Sequence, residues 1–170
     1  MSVVIEKPSQ FVTAIAEALR IALPGVKVGS HQDFDSTDDS TRVLISIDHD
    51  APGNRANNGR IAHVLTVSLQ VVLPTPGPEV CDLVSELKNL VTDNRWKLPA
   101  DQCDLPQNID GLPTTSLSGT REYNAWTVLF TQTLYLGPLL LEDPTGIPKF
   151  ARTWEVSNID DPDQYTALED

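Results

Sequence analysis

Asp48-His49-Asp50 comes closest to an acid-base set, because a carboxylate that orients an imidazole can make it a general base. Neighbours on a regular strand point to opposite faces, so these three cannot converge on one substrate, and the segment reads as a solvated strand end. His31 falls in a loop. His63 shares its side of a long strand with Leu65 and Val67, which suits a core-edge histidine satisfied by a hydrogen bond better than a ligand. Asp33, Asp35, Asp38 and Asp39 space their carboxylates as a calcium ion would take them. The central glycine and late glutamate of the helix-loop-helix calcium loop are missing, and residues 31–40 read as a solvated acidic connection between strands. Cys81, in a predicted helix, and Cys103, in a Pro-rich loop, make neither a disulfide framework nor a metal-ligand spacing. Phosphate-cradling, dinucleotide, nucleophile-elbow and zinc-protease motifs are absent. The expectation is a non-enzyme with no catalytic residue, no metal site and no cofactor.

The elements that would position such residues are plain in the pattern. Arg60 to Leu73 alternates Ile61, His63, Leu65, Val67, Leu69 and Val71 with a parity that includes Thr66, Ser68 and Gln70, predicting a long half-buried strand. Thr41 to Asp48 alternates likewise. The turn formers of residues 51–59, among them Arg55, predict that the two strands pair as an antiparallel hairpin with a long tip. Pro8 to Leu23 and Val80 to Val91 carry apolar residues at helical spacing, the second with Pro78 and Glu79 in its first turn and Asn94 or Arg95 at its end. Val26 to Gly29 is a short candidate strand. Glu122 to Leu136 alternates again, and its likeness to the 60–73 strand predicts that the two pair. Trp126 and Phe130 read as core, because no basic residues interleave them as a base-stacking platform requires. Residues 97–119, rich in Pro, Asp, Gln, Gly and Ser, predict an extended connection.

The expected fold class is α+β: a mainly antiparallel sheet with two amphipathic helices on one face, spanning residues 1–138, followed by an extended acidic, Pro-rich arm over 139–170. That arm carries Phe150, Trp154 and Tyr165 with little core of its own, and exposed aromatics of this kind anchor protein contacts. A chain of 170 residues is long enough for one buried core. Its apolar runs fall far short of a membrane span, and MSVVIEKPSQF lacks the layout of a secretory signal, so a cytoplasmic site of synthesis is expected. The net charge of −12 opposes binding to nucleic-acid phosphates and to acidic membranes, both of which work through lysines and arginines.

In order and length of elements, residues 8 to 136 resemble the tail terminator family of long-tailed bacteriophages. The segment NIDDPDQY, with Asp161, Pro162, Asp163 and Tyr165, is similar to the endings of such tail-completion proteins. The resemblance implies a structural virion protein at the neck end of the tail: a homo-hexameric ring that caps the tail tube, stops its polymerisation, and offers a surface to the head-tail connector. In contractile phages it would also meet the tail sheath. DNA would pass through the ring without specific binding, and an acidic lumen would keep it from sticking. Candidate partner contacts are Arg55 at the hairpin tip and, in the arm, Trp154, Asp161, Pro162, Asp163 and Tyr165. The polar parity Thr66, Ser68 and Gln70 is expected to face the lumen or a neighbour, an assignment that burial within a single chain would overturn. Two rivals stand beside this reading: another neck or head-completion protein, and a small-ligand α+β module or enzyme.

Overall fold

Helix α1 (Pro8–Ala22) begins where a proline suits the first turn. The Gln10 side-chain oxygen accepts the N–H groups of Glu6 (2.7 Å) and Lys7 (3.0 Å), so donors with no partner inside the helix are satisfied. Its apolar stripe buries Phe11, Ile15, Ala16 and Leu19. Helix α2 (Glu79–Val91) buries Val80, Val84, Leu87 and Val91, with Glu79 and Asp82 at its N-terminal end and Lys88 in its last turn, charges that suit the helix dipole. The computed structural model describes the backbone of residues 5–30, 40–54, 56, 59–73, 79–118, 121–138, 149–150, 158 and 160–167. The Asp33–Asp39 carboxylates, Arg55 and Trp154 lie outside the described residues, as does His31.

Strands β1 (Lys27–Ser30), β2 (Arg42–Pro52), β3 (Ile61–Val72), β4 (Gln107–Ser118) and β5 (Arg121–Leu136) form one sheet in the order β1-β2-β3-β5-β4. Only β1 and β2 run parallel; the other pairs are antiparallel. The expected hairpin is β2–β3 and the expected long pair is β3–β5, matched from Ile61 opposite Leu136 to Val72 opposite Ala125. Helix α1 lies over β1 and β2, and α2 over β5, β4 and β3. Both helices share one core with Val43, Ile45, Leu65, Val67, Leu69, Val71, Val128, Phe130 and Leu134, so they cover the same face. The fold is therefore α+β, as the patterning predicts.

Three expectations are corrected. Residues 107–118, expected to be part of an extended connection, form β4; Gly111 and Pro113 hide a strand whose existence depends on β5 beside it. Strand β2 runs past Asp48 to Pro52, because a bulge between Ile47 and His49 resets its register against β3. Ser68 and Gln70 are 5% and 7% exposed within the single chain, so the lumen-facing assignment of that parity fails for these two residues; Thr66 is half-buried. Leu44, Val72 and Ala125 make a second, small apolar cluster on that face of the sheet. A strand buried on both faces is what an alternating pattern cannot announce.

The chain divides into two compact units, Met1–Leu140 and Leu141–Asp170. In the second, β6 (Lys149–Phe150) pairs antiparallel with β7 (Thr166–Ala167), and a single 3-10 turn spans Pro162–Gln164. Among the described residues no helix is long and apolar enough to cross a membrane.

Candidate functional site

The bulge in β2 separates the residues of the Asp48-His49-Asp50 segment. Asp48 accepts hydrogen bonds from the hydroxyls of Ser46 and Ser68, the latter at 3.1 Å, and those two hydroxyls are 2.7 Å apart. Asp50 turns instead toward His63, whose Nδ1 lies 3.1 Å from both carboxylate oxygens. His63 is thus the half-buried, hydrogen-bonded histidine that its parity predicts, with Asp50 as its partner. An Asp–His pair orients an imidazole, but among the described residues no hydrogen bond joins His63 to a serine, threonine or cysteine that it could activate. Asp48, His49 and Asp50 are all exposed at the strand end, which leaves acid-base work there without an enclosed site. No group of three or more His, Cys, Asp or Glu side chains is disposed to hold a metal among the described residues.

A polar set that the motif search passes over lies inside the core. Gln132 is 1% exposed and sits on the apolar parity of β5, between Phe130 and Leu134. Its Nε2 donates to the carbonyls of Asp104 (2.7 Å) and Asn94 (3.0 Å) and lies 3.1 Å from Cys103 Sγ, while its Oε1 accepts the Trp96 indole N–H at 2.9 Å. Gln102, also 1% exposed, exchanges hydrogen bonds with the backbone of Ile5, accepting at 3.0 Å and donating at 2.9 Å. These two amides pin the 92–104 connection to β5 and to the N-terminal lead. The connection is tight: Asp93, Trp96 and Lys97 have φ of 56°, 55° and 62°, a left-handed region that non-glycine residues adopt only when held there. The holding contacts are the Trp96 indole bond, a tilted packing of its ring on Phe130 with centroids 6.2 Å apart, and the Asn94 side chain accepting the Trp96 N–H at 2.7 Å. The signal for this set is visible in the sequence as the one polar residue interrupting Trp126, Val128, Phe130, Leu134 and Leu136.

Burial pushes the Cys103 thiol up to about 12, only partly offset by the nearby Arg95 charge. Cys81 is exposed on α2. A thiol reagent should therefore label one cysteine in the native protein and two after unfolding, with Cys81→Ser abolishing the native signal. The unfolded chain releases the Cys103 proton near 9, before the folded chain does, so this group lowers stability as pH climbs from 9 toward 12 and is neutral to it below. Urea unfolding of the wild type and Cys103→Ala across that range measures the difference in slope. On β5, Tyr135 donates to Asp104 Oδ2 at 2.8 Å, and this bond to a carboxylate raises its pKa, with burial and the Asp104 charge adding to it.

At least two recesses open among the described residues of the first unit. One, about 340 Å³, runs along α1 and is lined by apolar groups of Ile5, Ala14, Ala18, Ile21 and Trp96, with Ile21 70% exposed. The other, about 450 Å³, lies between the β2–β3 hairpin and β5 against Pro52, Asn54, Asp104, Thr133 and Tyr135. In the second, the Tyr135 hydroxyl donates to the Asp104 carboxylate, a bond that favours the protonated phenol. No protein-family model and no curated protein matches the sequence.

Of the arm residues expected to meet a partner, Trp154 is outside the described residues, Asp161 and Tyr165 flank the 3-10 turn of the second unit, and Pro162 and Asp163 lie in it. Asp161 caps it: one carboxylate oxygen accepts the Asp163 N–H at 3.1 Å and the other accepts the Gln164 amide at 2.9 Å. These bonds, that of Gln164 first, lower the Asp161 pKa. Asn158 repeats the device by accepting the Asp160 N–H at 3.2 Å. Asp163 is exposed, while Asp161 and Tyr165 are half-buried, and Pro162 opens the turn. Residues 160–164 are therefore a locally capped turn in which the Asp161 carboxylate is held by the Asp163 N–H and the Gln164 amide.

Proposed function

We propose that the protein is a structural virion component, a tail terminator of a long-tailed phage that caps the tail tube as a homo-hexameric ring. The observation that supports this reading is the arrangement of the first unit: two amphipathic helices on one face of a sheet that includes the β2–β3 hairpin and the long β5 strand, with β4 as a strand beyond the expected pattern. The acidic balance supports it, since a charge of −12 per chain disfavours adhesion to DNA passing through a ring. On this reading the hairpin tip, including Arg55, contacts the tail tube, and the capped turn with Asp161, Pro162, Asp163 and Tyr165 contacts a neighbour or the head-tail connector. The burial of Ser68 and Gln70 removes those two from any lumen surface, so the contacts fall to these peripheral segments.

Deleting the gene from the phage tests the proposal directly. Electron microscopy is expected to show tail tubes of uncontrolled length that fail to join heads. Tails of wild-type length on the deletion particles would overturn it, and tails of normal length with detached heads would move the protein to the neck or head-completion position.

A further inference from the structure

The five-stranded sheet is open, and its two edges differ. At one end, the Lys27 N–H bonds the carbonyl of Thr41, just before β2, so in this parallel ladder the polar groups of Val28 and Ser30 face outward. There the Arg20 guanidinium donates to the Val28 carbonyl at 3.0 Å. That edge is four residues long and its outward Val28 carbonyl is occupied. At the other end stands β4, twelve residues long, with no strand on its outer side among the described residues.

Edges that must stay single are blunted by lysines, inward-pointing charges, shortness, prolines or bulges. Strand β4 has one charge, Asp110, and no lysine. Its guards are Pro113 and the irregularity between Gln107 and Asp110. The ladder with β5 is continuous from Asp110 to Ser118, and a proline fits such a ladder with its nitrogen turned away from the partner strand. The outward groups are then those of Gly111, Pro113, Thr115 and Leu117, but the Gly111 N–H already donates to the Asp110 carboxylate at 2.8 Å, which leaves the Thr115 and Leu117 donors and four carbonyls facing away from β5. Leu112, 44% exposed, adds apolar surface beside them.

We propose that β4 pairs antiparallel, edge to edge, with β4 of a second copy of this chain, joining two five-stranded sheets across a two-fold axis. The occupant follows from the chemistry. A row of backbone donors and acceptors is matched by another such row, and among the described residues the other edge of this sheet is short, with its Val28 carbonyl taken by Arg20. Pairing centred near Thr115 also sets the Asp110 carboxylate of each copy opposite residues beyond Ser118, away from the like charge on its partner. The pair has a two-fold axis, whereas a ring seated on a tube end has a top and a bottom. It is therefore a species of the free protein, and it stands or falls independently of the tail-terminator reading.

The test is the mass of the purified full chain by light scattering, from about 1 to 100 μM, a range wide enough to resolve micromolar pairing. A species of twice the chain mass that dissociates on dilution is expected. Thr115→Pro removes one outward donor, and the symmetry counts it twice, so association should weaken by about tenfold or more. Leu112→Lys, which touches no backbone bond, should act in the same direction; circular dichroism and melting identify any variant that fails to fold. Hydrogen exchange at the Thr115 and Leu117 amides should speed up as the wild type is diluted. A monomer throughout the range, or a dimer that both folded variants leave unchanged with no concentration dependence at those amides, would overturn the proposal.

Discussion

Gln132→Leu is expected to cost on the order of 3 kcal/mol of stability and to lower the melting temperature by about 10 °C, although it puts an apolar residue of similar size into an apolar parity. The cost lies in what is left behind. The Trp96 indole N–H, the Asp104 carbonyl and the Asn94 carbonyl each lose a partner where little water can replace it. An unsatisfied buried donor or acceptor costs about 1–3 kcal/mol, more than the bond itself contributes when made. The loss should also spread, because Trp96 and Lys97 keep left-handed backbone conformations only while the indole is held. Thr133→Val, one residue along on the other face of β5, is the matched control and should change stability by less than about 0.5 kcal/mol. Thermal and urea unfolding of the two variants checks the contrast. Equal stability of the two would mean that the amide network adds nothing beyond its volume.

The second large effect concerns β3. Leu69 is fully buried beneath the helices, and Leu69→Ala should cost about 2–5 kcal/mol from lost transfer energy and the cavity left behind. Ser68 is its neighbour on the opposite face, and there Ser68→Ala should cost about 1 kcal/mol, since it breaks bonds to Asp48 and Ser46 at a site where both partners still reach water. The pair separates the two faces of the strand by energy. If Ser68→Ala matched Leu69→Ala, the polar cluster at the bulge would be a second core of equal weight.

The two helices, the β2–β3 hairpin and the β3–β5 pairing were legible because each is a local period expressed over a dozen residues: 3.6 in α1 and α2, two in the strands. Phe11, Ile15 and Leu19, or Leu65, Val67 and Leu69, declare their buried side without reference to the rest of the chain. His63 was legible in the same way, as a polar residue on an apolar parity. Gln132 stood in the same kind of position, but its four hydrogen-bond partners come from the 94–104 connection, and no period links that stretch to β5.

Other features had no local cause to read. Strand β4 is poor in β-branched residues along Gln107–Pro113, and it is a strand because β5 offers it a ladder. The bulge that sends Asp50 to His63 and leaves Asp48 with Ser68 arises from register between two strands, a relation between distant residues. Burial of Ser68 and Gln70 is likewise a property of the assembled sheet: alternation marks which residues share a face, but not whether the second face meets water. The sequence by itself determined the periods, and through them the α+β class and the helix-covered face. Tertiary structure alone decided the edge strand, the bulge and the partners of the buried amides, because each is a hydrogen-bonding relation between segments that only folding brings together.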